Sequence, residues 1–253
     1  MNLSELRAEA RRIQRQAKGI YALFLVPIVT AIISVVYNYS SDTLSNNILQ
    51  YGIQNTVVHG INRSLFPVAI SFIVSFFLTA AFWTLLEVIR GKRQEVHFTD
   101  SIRTFDSKII GPVFMTLLLK RILLFLWNLF VWIGSGMMIL ASFSIIKLLP
   151  NSQDISQNVA LQTTIGTLLL YILIGFLLMI IGVLIALPQY YAYSQVEFIL
   201  FDSLENNSYD GAFKVIRASR QMMKGYKGKR FVLDLTFIGW YLLSALTFGI
   251  ASI

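Results

Sequence analysis

From Phe231 to Ile253 the sequence runs for 23 residues with a single charge, Asp234, behind a collar made of Lys224, Lys227, Lys229 and Arg230. At a rise of roughly 1.5 Å per residue this stretch makes a helix of about 34 Å, enough to cross a hydrocarbon core of about 30 Å. The collar then stays with lipid headgroups while its aliphatic stems lie along the apolar surface. Gly225 and Gly228 are read as breaks in front of the crossing.

Four more runs obey the same constraint: Ile20 to Tyr37, Leu65 to Ile89, Ile122 to Ile146 and Ile165 to Leu187. The expected fold class is therefore all-α, a single polytopic membrane domain of about five transmembrane helices over residues 1–253. Composition agrees: 56% of residues are hydrophobic and 13% charged, against an apolar share of about 45–50% in soluble domains. Pro27 predicts a kink in the first crossing. The basic start followed by an apolar run also fits a signal peptide, but the run is 18 residues long and YNYSS offers no small-x-small cleavage site, so an uncleaved anchor is expected.

Charge orients the chain. Residues 1–19 carry five Lys or Arg, Arg90 to Arg121 seven, and Lys214 to Arg230 seven, leaving Arg63 and Lys147 for the other side. By the positive-inside rule the N-terminus and the basic segments 90–121 and 202–230 are cytoplasmic. The +8 net charge thus reads as membrane flanks rather than a nucleic-acid footprint, because the basic residues sit beside apolar runs. Tyr39 to Ser64 and Lys147 to Gln162 are expected to be polar loops. Ile109 to Leu119 reads as interfacial or as the deep start of the next helix. The helix is expected to end at Pro188 and to resume over Gln189 to Phe201, as an interfacial or inserted element, with Asp202 and Glu205 at capping-box spacing for the next segment.

Ser208 to Lys224 is amphipathic. Lys214, Arg217, Arg220 and Lys224 share one side, opposite Ala212, Val215, Ile216, Met222 and Met223. Two placements fit: a helix lying in the membrane surface, or a helix packed on the bundle with its basic face in water. Either way Lys214, Arg217, Arg220, Lys224, Lys227, Lys229 and Arg230 form a candidate surface for anionic lipid headgroups or a protein partner.

Chemistry-bearing patterns are few. The chain has no cysteine, and its two histidines, His59 and His97, fall on opposite sides of the expected topology. No metal site or cofactor is expected, and no phosphate-loop, dinucleotide, nucleophile-elbow or HExxH pattern occurs. A non-catalytic role is therefore expected. Ionisable groups at membrane depth are costly and make functional suspects: Glu87, with Arg90 one turn on as an ion-pair partner, Asp234, with Arg230 four residues before it, and Glu197 among tyrosines. Converging near the cytoplasmic leaflet, these carboxylates would suit a cation or proton path, the alternative function of a transporter or channel-like protein. Against that alternative, the crossings carry mostly Ser, Thr and Asn128 at mid-membrane. Gly134 and Gly136 are expected to permit close helix contact.

The stretch SRQMMKGYKGKRFVLDLTFIGWYLLSALTFGI, Ser219 to Ile250, resembles the C-terminal signature of the bacterial integral-membrane family called domain of unknown function 975. Ser219, Arg220, Met223, Gly225, Lys227, Phe231, Phe237, Ile238, Gly239, Trp240, Thr247, Gly249 and Ile250 stand where that signature has them, with Thr236 in place of a serine. Looser similarity covers Tyr190 to Asp202 and Lys120 to Trp127. The resemblance implies a multi-pass protein of the bacterial cell membrane and no particular activity. It also implies a Pro-Tyr turn and an aromatic tail beyond the tryptophan helix, so a sixth crossing after Ile253 is expected.

Overall fold

The computed structural model describes residues 5, 8, 9, 11–13, 17–40, 44–148, 159–239 and 243. Among them no strand occurs, and the chain is an all-α polytopic membrane protein: Pro67–Ile89, Ile110–Trp127, Leu129–Leu148 and Val159–Glu205 contain helix long and apolar enough to cross a membrane, and Ile20–Ser34 is a shorter apolar helix. The chain divides into two compact units, one of residues 1–117 and 196–215, the other of residues 118–195 and 216–253.

In the first unit Gly19 turns the chain with φ +83°, and a Cβ there would collide with the carbonyl of Val96. Val96 N–H donates to the Lys18 carbonyl at 3.0 Å. Around this junction Ala17, Ile20, Leu23, Ala81 and Val96 are buried together. A 3-10 turn, Ile20–Phe24, leads into α1, Leu25–Ser40. Pro27 stands where the 3-10 turn passes into the α-helix. It is the third residue of α1, in the first turn, where proline is best tolerated.

The second helix corrects the sequence reading most. α2 spans Leu44–Ile89 with Pro67 inside it, so most of the expected loop Tyr39 to Ser64 is helical. Its Asn, Ser and Gln content suggested a loop, yet Leu44, Tyr51, Val58 and Leu65 recur every seven residues, a spacing that keeps one apolar helical face through polar sequence. After α2 the chain folds back as a 3-10 segment, Phe98–Phe105. Thr104 Oγ1 donates to the Phe76 carbonyl at 3.1 Å, and Phe105 stacks on Phe76 with centroids 5.5 Å apart. α6, Val196–Glu205, docks on α2 through buried Val196, Leu200 and Phe201. The indole of fully buried Trp83 lies 5.4 Å from the Phe201 ring and donates to the Glu197 carbonyl at 2.8 Å.

α3, Ile110–Trp127, and α4, Leu129–Leu148, are separated by one residue, Asn128. Ile109 to Leu119 is thus largely the start of the next helix, the second of its two readings, and the expected crossing Ile122 to Ile146 is interrupted. The hydrogen-bond ladder nevertheless continues: Asn128 N–H donates to the Leu124 and Phe125 carbonyls and Trp132 N–H to Asn128, at 3.0–3.1 Å. A single residue inside such a ladder bends a helix without reversing it, and Asn128 Nδ2 caps the Leu124 carbonyl at 2.7 Å.

In the second unit α4 packs antiparallel to α5, Val159–Ala192, backbone to backbone. A Cβ on Gly175 would stand 2.7 Å from the Gly134 carbonyl, and one on Gly182 2.6 Å from Val131 N; one on Gly134 would strike the Gly175 carbonyl. Without a hydrophobic drive between helices in lipid, such contact depends on small residues. Gly136, by contrast, faces open space. α5 does not stop at Pro188 but continues to Ala192, and three residues later α6 starts; the expected element Gln189 to Phe201 is therefore the end of one helix and the start of another. In lipid an unpaired carbonyl is penalised more than in water, and a proline is tolerated inside a membrane helix where neighbouring groups take up the backbone it frees.

α7, Ala212–Met222, is followed by a turn with Gly225 at φ +84° and by α8, Lys227–Leu235. Gly225 breaks the helix as read; Gly228 lies inside α8 and does not. The expected final crossing, Phe231 to Ile253, starts within α8, and everything past Gly239 except Leu243 lies outside the described residues.

Candidate functional site

Charged residues gather at the C-terminal end of α2. The turn after Ile89 and the 3-10 segment fold back over it, and α6 ends beside it. Glu87, with a side chain only 13% exposed, lies 3.3 Å from Arg93 Nε and 3.0 Å from Arg103 Nη1. The Arg103 contact is ionic rather than directional: Nη1 is buried and makes no hydrogen bond of good geometry. Arg93 also donates to Asp100 at 2.5 Å, and Asp100 accepts the His97 N–H at 2.9 Å, closing the first turn of the 3-10 segment. On the more exposed side Arg90 grips Asp202 with two hydrogen bonds of 2.6 and 3.0 Å, and Lys92 pairs with Glu205.

These contacts shift the titrations. Burial alone would raise the Asp100 carboxyl, but the hydrogen bonds from Arg93 and the His97 backbone, with the charges of Arg93 and Arg103, hold it below the usual carboxylate range. The hydrogen bond to Asp100 raises the Arg93 guanidinium, and the one to Asp202 raises that of Arg90.

The cluster corrects two readings. Glu87 pairs with Arg93 and Arg103 rather than with Arg90, and Asp202 and Glu205 close the end of α6 as ion-pair partners rather than capping a following helix. Arg90, Lys92, Arg93 and Arg103 are matched by Glu87, Asp100, Asp202 and Glu205, so this part of segment 90–121 presents little net charge. A carboxylate between two guanidinium groups has no free field with which to attract a cation. Asp234 pairs with Arg230 at 3.4 Å, the local partner its spacing predicts. Glu87 and Glu197 fall in the first unit and Asp234 in the second. Among the described residues no three His, Asp or Glu side chains cluster as a metal site would need.

The other basic surface is different. On α7, Val215 and Ile216 are buried, as are Ser219 and, just beyond the helix, Met223. The buried stripe thus swaps the expected Met222 for Ser219. Lys214, Arg217, Arg220 and Lys224 point outward with Phe213 and Met222. Lys214 pairs with Asp210, and Lys229 lies over the Tyr226 ring, 5.3 Å from its centroid. Among the described residues no carboxylate pairs with Arg217, Arg220, Lys224, Lys227 or Lys229.

Ser219 holds this region in register, a role no spacing rule reveals. Fully buried, its hydroxyl donates to the Ala192 carbonyl at 2.8 Å and accepts the Gln195 N–H at 3.3 Å, tying the end of α5 to α7. Ser219 and Gly225, with its positive φ, thus give two signature positions a structural reason, while Trp240, Thr247, Gly249 and Ile250 lie outside the described residues. The family described as "Protein of unknown function (DUF975)" matches residues 1–253, the whole chain. The chain belongs to the DUF975 family. No curated protein and no solved structure matches it, so for this DUF975 protein the chemistry of its surfaces is the guide to function.

Proposed function

We propose that this DUF975 protein is a non-catalytic, multi-pass protein of the bacterial cell membrane, with its N-terminus and basic segments in the cytoplasm, and that Arg217, Arg220, Lys224, Lys227 and Lys229 engage anionic lipid headgroups. The observation that carries the reading is the contrast between two basic regions: residues 90–103 are neutralised by four carboxylates, whereas the run from Arg217 to Lys229 has no carboxylate partner among the described residues. Met222 and Tyr226 stand exposed among these cations, a mixture suited to the interface between headgroups and acyl chains. Each such cation contributes about 1 kcal/mol near an anionic leaflet, and no cofactor or nucleic acid is needed.

The test is retention of phospholipid by the purified full chain after detergent exchange, with phosphatidylglycerol and phosphatidylcholine in competition. Phosphatidylglycerol should be enriched at low salt. The enrichment should fade as the Debye length shrinks from about 10 Å at 0.1 M to about 3 Å at 1 M, and vanish when the five residues are replaced by glutamine. Equal retention of both lipids refutes the lipid reading, and a co-purifying acidic protein lost with the same substitutions would transfer the surface to a protein partner. Orientation is tested by single cysteines in this cysteine-free chain: Asn206→Cys should resist, and Ser45→Cys accept, a membrane-impermeant reagent in intact cells.

A further inference from the structure

The last turn of α5 meets both helices of the basic run. Its Ala192 carbonyl accepts the Ser219 hydroxyl of α7, and the residue before it, Tyr191, meets α8. Tyr191 is only 7% exposed. Its ring stands edge-on to Phe231, 6.2 Å between centroids, and its hydroxyl is within hydrogen-bonding reach of Asp234. Phe231 and Asp234 are three residues apart and so share one face of α8, and Asp234 also holds Arg230 at 3.4 Å. Among the described residues of α8 none is buried, so little apolar packing holds this helix and the contacts with Tyr191 set its position.

Between the two attachments lies the turn at Gly225, with φ +84°, and Lys224 and Tyr226 on either side of it are exposed. The unpaired cations are thus divided: Arg217 and Arg220 on α7, Lys227 and Lys229 on α8, and Lys224 between them. Both arms are anchored to one turn of α5. Asp234, a costly group beside an apolar run, acts here as an anchor, facing a tyrosine on one side and an arginine on the other.

We infer that Tyr191 is a positioning residue for the basic run: with Ala192 it clamps α7 and α8 at a fixed separation, so that the five cations meet anionic headgroups as one preorganised surface. The identity of the ligand rests on the lipid reading, whereas the clamp rests on the contacts of Tyr191 and Ser219. Preorganisation raises affinity because the site is not ordered anew on binding. Diffuse attraction depends on the number of cations near the leaflet and would not register a neutral change beneath them.

Nitroxides on Gln221→Cys in α7 and Val232→Cys in α8, both exposed positions, report the separation of the two arms in the full chain by pulsed electron paramagnetic resonance. The parent should give a narrow distance distribution. Tyr191→Phe, which keeps the ring and every charge, should broaden it and lower the enrichment of phosphatidylglycerol over phosphatidylcholine about two- to tenfold. Phe231→Ala removes the ring contact from the α8 side; it should do the same, and it decides the matter should Tyr191→Phe fail to fold. A distribution already broad in the parent, or one that neither substitution changes, overturns the clamp. A broadened distribution with undiminished enrichment overturns the positioning role, since the cations then act as diffuse charge. Absence of enrichment in the parent is instead the failure of the lipid reading, and the distance distributions then decide the clamp by themselves.

Discussion

Replacing Glu87 by glutamine tests whether burial or contact distance ranks the ion pairs at the end of α2. The Arg90–Asp202 pair has the better geometry, bidentate at 2.6 and 3.0 Å, but its side chains are 35% and 44% exposed. Glu87 contacts its arginines at 3.0 and 3.3 Å and is only 13% exposed, with Arg103 at 27% and Arg93 at 32%. Removing one partner of a fully buried pair costs about 3–5 kcal/mol because the other charge is left uncompensated. Exposed pairs contribute about 0–1 kcal/mol. The partial exposure of the two arginines places Glu87→Gln between these limits, at about 2 kcal/mol. Asp202→Asn should cost about 0.5–1 kcal/mol, its tighter geometry offset by solvent screening. Thermal unfolding followed by circular dichroism in detergent should then show a midpoint drop of roughly 4–8 °C for Glu87→Gln and a clearly smaller one for Asp202→Asn. Raising salt to 1 M should shrink the Asp202 effect and leave most of the Glu87 effect. A larger loss for Asp202→Asn, or a Glu87→Gln variant as stable as the parent, would refute the ranking by burial.

Ser219→Ala removes a donor to Ala192 and an acceptor for Gln195 at a fully buried position, and should cost about 1–3 kcal/mol in the same melting assay. Gly134→Ala should lower the midpoint by the equivalent of about 1–3 kcal/mol, because the new methyl meets the Gly175 backbone and no side chain can yield; Gly136→Ala, with open space around it, should melt like the parent. Asp100 carries a folded pKa below its unfolded value of about 3.9, so its stabilisation is complete above that pH and is lost as pH falls through the folded pKa. The midpoint difference between the parent and Asp100→Asn should accordingly be flat above about pH 5 and narrow below about pH 4, as read from melts across that range.

Much of the fold was legible because it depends on quantities carried by short stretches of chain. Apolar runs of about 20 residues announce crossings through transfer free energy alone, and the pairing of Arg230 with Asp234 follows from a spacing of four on one helix. Gly134 could be named as a contact point, although its partner Gly175, and Gly182 with its contact to Val131, could not. Where polar composition and helical spacing disagreed, as over Leu44 to Ser64, composition misled, since a period-seven apolar face survives any number of Asn and Ser on the other faces. Pro188 misled for a related reason: a proline ends a helix in water more readily than in a setting where every backbone group must find a partner.

The candidate surfaces divide the same way. The basic face of α7 could be read from a helical wheel. Which basic residues are neutralised could not, because Asp202 lies 112 positions after Arg90 and no periodicity links them. Nor does any local rule turn Thr104 inward, because the Phe76 carbonyl it donates to lies 28 positions earlier in the chain. The sequence by itself determined a membrane protein, the positions of most of its apolar spans and where its positive charge lies, because hydropathy and charge act through the solvent residue by residue. Only the tertiary structure decided which charges cancel and which serine and which glycines hold helices together, because those outcomes depend on distances of a few ångströms between residues far apart in the chain.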